Sequence, residues 1–92
     1  MITVNFYATV RMLVKQKQIK VTSRDFDVTA LLEECEAVTG KRFAHKLIDE
    51  NNAIIPGTMI LIDGANIHHL EGTSSPVKDG TVVSLFPPGG GG

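Results

Sequence analysis

Cysteine is nearly absent: Cys35 stands alone among 92 residues. A lone cysteine excludes an internal disulfide and fits a reducing compartment. No charge of either sign is in excess, because nine Lys+Arg against ten Asp+Glu leave a net charge of −1. Such a balance supplies no bulk field to attract nucleic acid or an anionic membrane. Long hydrophobic runs are also missing, and every aliphatic stretch stops far short of the roughly 20 residues needed to span a bilayer. The opening Met1-Ile2-Thr3-Val4 has no basic stretch leading into an apolar one. Secretion is therefore not expected, and the cytoplasm is the expected location. With 42% hydrophobic and 21% charged residues, the chain reads as one small globular domain. Its length allows one modest core and no second domain.

Glycine is present but unevenly spread. Four of the nine glycines fill the last four positions, Gly89 to Gly92, directly after Pro87-Pro88. The other five, Gly40, Gly57, Gly64, Gly72 and Gly80, occur singly where turns are expected. This divides the chain into a body, residues 1–86, and a tail, residues 87–92. Two consecutive prolines cannot continue a central strand, since neither has an N–H to donate. Four glycines lose much backbone entropy on ordering, so the tail is expected to stay mobile until something holds it.

Within the body, Ile2, Val4 and Phe6 alternate with Thr3, Asn5 and Tyr7, the period of a half-buried strand. Residues 8–16 carry Val10, Leu13 and Val14 and suit a helical turn or a wide loop. Ile19 and Val21 alternate with Lys20 and Thr22, giving a second strand that can pair with the first. Asp27 is placed to cap a helix whose apolar stripe is Val28, Leu31, Leu32, Cys35 and Val38, and Gly40 is placed to end it. Phe43, Leu47 and Ile48 suggest a short helical piece, followed by an exposed turn over residues 49–52. Met59 to Ile62 with Asp63-Gly64 reads as a strand and turn, Ile67 to Leu70 as a short strand, and Thr81 to Phe86 as the last strand. The expected class is α+β, a sheet of four to five strands with one main helix on one face. Val83 and Leu85 then point to the helix, while Val82 and Phe86 point to an open face shared with half of Met59–Ile62. An apolar patch on that face marks a partner site unless edge loops cover it.

No catalytic constellation emerges from this pattern. His68 and His69 on a strand would face opposite ways, and Cys35 belongs to the core stripe, so no metal site is expected. Glu33/Glu34 and Asp49/Glu50 read as a solvated helix face and a turn. The final glycines precede no helix and so form no phosphate loop. What remains is the end of the chain. A glycine carboxylate on a thin tail can enter a narrow channel that rejects side chains. There, ATP can convert it to an acyl-adenylate open to a sulfur or amine nucleophile.

The sequence resembles the small sulfur-carrier proteins of the β-grasp, ubiquitin-like superfamily, most closely the small subunit of molybdopterin synthase. The resemblance runs over nearly the whole chain. It rests on the opening strand Ile2 to Ala8, the helix Val28 to Glu33, Met59-Ile60-Leu61-Ile62-Asp63-Gly64, Ile67-His68-His69-Leu70 and Ser75 to Gly80. The closing segment, Val82 to Pro88 with Gly91-Gly92, is the most specific part. It implies a β-grasp fold with no cofactor bound by the chain itself and no catalytic site of its own. An adenylating enzyme of the ubiquitin-activating type would use MgATP on Gly92. A cysteine desulfurase or other sulfurtransferase would then supply sulfur to form a thiocarboxylate. Two such carriers would insert their tails into a dimer of the large subunit, a heterotetramer in which sulfur passes to the pterin precursor of the molybdenum or tungsten cofactor. Gly92 would bear the sulfur, Gly91 would let the tail pass, and Phe86, Pro87, Pro88, Gly89 and Gly90 would seat it on partners. The family commonly has a valine and another residue where this chain has Gly89-Gly90, which makes ordering of the tail costlier. Thr81 likewise replaces a frequent acidic residue after the Asp79-Gly80 turn.

Three other readings stay open. The sulfur could go to thiazole of thiamine, to a tRNA base or to cysteine. Alternatively, Gly92 could be joined to lysines of other proteins, making the chain a modifier. An interaction-only domain, indifferent to loss of Gly92, is the remaining possibility.

Overall fold

A computed structural model describes residues 1–89. The chain starts with β1 (Ile2–Phe6), whose Ile2, Val4 and Phe6 are fully buried. A short helix α1 (Ala8–Val14) follows, with Val10 and Val14 turned inward and Leu13 left partly exposed. Next, β2 (Gln18–Val21) returns antiparallel to β1, and β3 (Phe26–Asp27) leads into the main helix α2 (Val28–Thr39).

Helix α2 forms where the sequence places it. The Asp27 carboxylate accepts from the Ala30 N–H at 2.8 Å, satisfying one of the first-turn donors. Gly40 ends the helix in the left-handed region at φ +71, where a Cβ would be strained. Val28, Leu31, Leu32 and Cys35 are buried as expected. Val38 is not: it is 52% exposed, because the inward stripe ends one turn earlier.

Beyond α2, Phe43, Leu47 and Ile48 are buried around a 3-10 turn at Ala44–Lys46. Then come β4 (Met59–Ile62), β5 (Ala65–Asn66), β6 (Pro76–Val77) and β7 (Val82–Phe86). The main sheet has five strands in the order β2-β1-β7-β4-β5, with β1 and β7 parallel and the other neighbours antiparallel. It is a mixed sheet with α2 on one face, as the sequence implied. The pair β3–β6, not foreseen, ties the N-terminus of α2 to the loop before β7.

A second expectation is also corrected. Residues 67–70 were expected to be a strand, but Ile67–His69 is a 3-10 turn and the strand lies just before it. The Asn66 side chain accepts from the His68 N–H at 2.9 Å and starts that turn. His68 and His69 therefore do not alternate across a sheet. Among the described residues, no group of three or more His, Cys, Asp or Glu is placed to hold a metal. None of the described helices is long and apolar enough to cross a membrane.

The core lies between α2 and the inner sheet face. Ile2, Val4, Phe6, Val83, Leu85 and Ile60 meet Leu31, Leu32 and Cys35 there. Phe6 and Phe43 pack edge to face at 5.4 Å, closing the end of the core nearest the C-terminal tail. Glu36 fastens this corner: its carboxylate accepts from the N–H groups of Phe43 and Ala44 at 2.8 and 3.0 Å. At the opposite end, the N-terminal ammonium pairs with Asp79 and holds its carboxyl below the usual range.

Candidate functional site: the root of the C-terminal tail

Strand β7 is central, hydrogen-bonded to β1 on one side and β4 on the other. A residue leaving its C-terminal end is therefore aimed by both neighbours. The alternation places Val83 and Leu85 in the core, and puts Val82 (41% exposed), Ser84 and the half-buried Phe86 on the other face. Met59 and Leu61 of β4 share that outer face, since Met59 pairs with Phe86 and Leu61 with Ser84. An apolar stripe thus runs over Val82, Leu61, Met59 and Phe86 on the face away from α2.

Phe86 is held by a partner that its own strand does not reveal. Its ring stacks on Tyr7 at 4.1 Å with 9° between the planes. The Arg11 guanidinium lies 5.3 Å from the Tyr7 centroid, within cation–π range, and its Nε donates to the Phe6 carbonyl at 2.9 Å. Tyr7 N–H donates to Leu85 O at 3.2 Å, which joins β1 to the end of β7. The chain then reverses at Ala8 in the left-handed region (φ +51), carrying α1 back beside this platform.

The ladder ends immediately after Phe86 for a chemical reason. Continuing the β4–β7 register would set Thr58 against Pro87 and Gly57 against Pro88, with Pro56 next in line. Neither Pro87 nor Pro88 has an N–H to donate, and Pro56 has none on the facing side. The contacts still continue for two residues past the expected boundary at Phe86. Pro87 is buried and Pro88 half-buried. A Cβ on Gly57 would lie 3.3 Å from the Pro88 Cβ, so the ring sits directly on the glycine backbone. Gly57 also adopts φ +91, a second reason for glycine at this close approach. The adjacent Thr58 hydroxyl is buried and has no partner among the described residues.

Gly89 is exposed with open space around its Cα. Gly90, Gly91 and Gly92 lie outside the described residues. Of the expected site residues, the structure thus brings Phe86, Pro87 and Pro88 together at one edge of the domain and shows Gly89 leaving it. Tyr7, Arg11 and Gly57 were missed. Tyr7 had a signal in the β1 alternation, which sets it on the outer face. Gly57 and Arg11 had none, since their roles need contacts made across the fold.

Cys35 takes no part in this site. Burial, together with the Glu34 and Glu36 charges, pushes its thiol up to about 12, so it stays protonated and unreactive at neutral pH. A groove of about 580 Å³ beside α2 includes Glu33, Glu36, Arg42 and Asp49. Glu36 and Asp49 are already engaged there with backbone N–H groups.

The comparison with protein families decides the relationship: the ThiS family model matches residues 4–92, the glycine tail included. The chain belongs to the ThiS family. It is a β-grasp, ubiquitin-like member of the sulfur carriers and small modifiers that share this fold. Small archaeal modifier protein 3 of Haloferax volcanii is 36% identical over 88 residues, covering 95% of this chain and 94% of that protein. A Haloferax volcanii protein solved in solution has 33% identity and a TM-score of 0.76, over 99% of this chain and 85% of the other. One chain of the BexX/CysO complex of Amycolatopsis orientalis aligns over 100% of both chains with a TM-score of 0.83, at 17% identity, which is a likeness of fold.

Proposed function

We propose that this ThiS-family chain is a sulfur carrier that acts through Gly92, and most specifically the sulfur-donating small subunit of a molybdopterin synthase. The observation that carries the reading is the construction at the tail root. A central strand delivers the chain to one edge, and two prolines end the ladder beside a Tyr7–Phe86 platform. Everything downstream is glycine. The match of the family model through residue 92 supports including the tail in the function.

The chemistry is assigned to partners, as in the sulfur carriers that the sequence resembles. An adenylating enzyme of the ubiquitin-activating type joins the Gly92 carboxylate to AMP from MgATP and releases pyrophosphate. The terminal sulfur of a persulfide on a sulfurtransferase, loaded by a cysteine desulfurase, then displaces AMP to form an acyl disulfide, and a second thiol cleaves its S–S bond, becoming a disulfide with the sulfurtransferase and releasing the thiocarboxylate. The large synthase subunit receives the tail and passes the sulfur to the pterin precursor. The part of this chain is positional: Phe86 and its apolar stripe dock, Pro87 and Pro88 set the exit direction, and Gly89 to Gly92 thread. Intact mass spectrometry of the chain from its native cells tests this. A species with sulfur in place of one oxygen at Gly92 is expected.

A second reading has its own support, the likeness to small archaeal modifier protein 3 over nearly the full length of both proteins. In that case an amine, not sulfur, attacks the adenylate, and Gly92 ends up on lysines of other proteins. Finding Gly92 only in such conjugates, with no thiocarboxylate, overturns the carrier reading. Loss of molybdoenzyme activity on deletion of the chain, with thiazole, tRNA and cysteine products intact, assigns the acceptor.

A further inference from the structure

The charges of this chain are balanced in number but not in position. Residues 1–24 contain no Asp or Glu and five of the nine cations: Arg11, Lys15, Lys17, Lys20 and Arg24. The last four lie on or beside β2, the outermost strand of the sheet, and all four are exposed. Among the described residues, none of them is in an ion pair. Half of the strand's backbone is unpaired as well. Thr3 and Tyr7 donate their N–H groups to Thr81 O and Leu85 O at 3.0 and 3.2 Å, so the odd residues of β1 face β7. The even ones face β2, where Phe6 N–H donates to Lys17 O at 2.9 Å. The register of Val4 with Ile19 and Ile2 with Val21 therefore turns Ile19 and Val21 toward β1. Antiparallel alternation points the N–H and C=O groups of Gln18 and Lys20 outward, where the sheet has no further strand. The opposite edge, β5, is two residues long and offers no comparable template.

We propose that the β2 edge receives an extended acidic segment of a partner protein, which pairs with it as an added strand. The inference goes beyond the carrier reading and does not rest on it. The added strand satisfies the outward groups of Gln18 and Lys20. Its carboxylates meet Lys20 on one face of the sheet and Lys17, beside the start of β2, on the other. Charge selects this occupant. A second copy of the chain brings the same lysines across the join, where like charges repel. Lysines guard an edge against indiscriminate pairing, and an acidic strand turns that guard into attraction. Nucleic acid shares the attraction, but its phosphates offer only acceptors, which leaves the outward carbonyls of Gln18 and Lys20 without a donor. Strand β1 separates β2 from β7, so a partner held at this edge leaves the tail root uncovered.

The test titrates the full ¹⁵N-labelled chain with a blocked peptide of alternating valine and glutamate, about eight residues long to match a strand. The comparison probes are a valine–lysine peptide, a peptide of glutamate alone and an oligothymidylate of equal charge. With the valine–glutamate peptide, NMR amide shifts centred on residues 17–21 and slowed hydrogen exchange at Gln18 and Lys20 are expected. Added salt should weaken this binding, since the ion pairs are exposed. The double variant Lys17→Glu, Lys20→Glu should lower the affinity about three- to tenfold and transfer the preference to the valine–lysine peptide. Both side chains are exposed, and unchanged shifts in the core will show that the variant keeps the fold. Absent binding overturns the proposal. Equal binding of the glutamate peptide without exchange protection overturns it too, because the edge is then a diffuse cationic patch. Tighter binding of the oligothymidylate assigns the edge to nucleic acid, and peptide-free shifts that grow with protein concentration assign it to a second copy. Either result overturns the acidic strand. None of these readouts involves Gly92, so failure here leaves the carrier reading standing, and a missing thiocarboxylate leaves this edge standing.

Discussion

Residues 82–85 and residues 86–89 are consecutive, yet they do opposite work. In the first segment, Val83 and Leu85 are fully buried and the backbone is paired on both sides. In the second, Phe86 is half-buried, two prolines end the pairing, and Gly89 stands in the open. One strand thus holds the fold together and presents the chain end. The boundary between the two roles is chemical: Pro87 and Pro88, directly after Phe86, have no backbone N–H to donate. A carrier gains from this arrangement, because changes beyond Pro88 reach partners without disturbing the core.

Substitutions on either side of this boundary test the division directly. The largest effect is expected at the far end, where Gly92 replaced by a bulky residue should abolish adenylation with the melting temperature unchanged. An unchanged pyrophosphate-exchange rate would remove Gly92 from the chemistry. Upstream, Leu85→Ala should cost about 2–5 kcal/mol in urea unfolding, through lost burial and the cavity left behind. A smaller loss would show that the core collapses around the gap. At the boundary itself, Phe86→Asp should weaken partner binding at least tenfold, the scale of an interfacial aromatic anchor. The same variant should cost only about 0.5–1.5 kcal/mol of stability, the worth of the Tyr7 stack. A melting-temperature fall like that of Leu85→Ala would make Phe86 a core residue and move the boundary.

A smaller effect is expected at the corner behind the tail. Glu36→Gln keeps the shape but weakens two hydrogen bonds to Phe43 and Ala44, with an expected cost of about 1 kcal/mol by denaturant titration. The least visible effect concerns Cys35. Its thiol is raised from 9.0 to about 12 in the fold, so the stability it contributes is present below pH 9 and is lost as pH rises toward 12. Native protein at pH 8 should resist alkylation that the unfolded chain accepts, as read by mass spectrometry. Rapid native labelling would mean that α2 opens.

Much of the architecture was legible because its determinants are local. The Asp27 cap and the Gly40 terminus bracket α2 within the sequence itself, and period-two alternation sets the inner faces of β1 and β7. The misreading at residues 67–70 has a local cause as well. Four residues are too few for periodicity to separate a strand from a 3-10 turn, and the Asn66 side chain tips the choice by capping His68. The two-residue strands β3 and β6 had no pattern of their own and exist because they pair with each other. Val38 continues the helical spacing, but the inner sheet face no longer lies opposite it.

By itself, the sequence determined the α+β class, the main helix with its caps, the inner face of the sheet and the glycine end after Pro87-Pro88. These follow from side-chain periodicity, capping chemistry and the missing N–H groups of proline, all of which act over a few residues. Only the tertiary structure decided that Tyr7 lies under Phe86 and that Pro88 rests on Gly57. Those neighbours are separated by tens of residues along the chain. They meet because β1 and β4 flank β7, an arrangement that burial of the whole core selects.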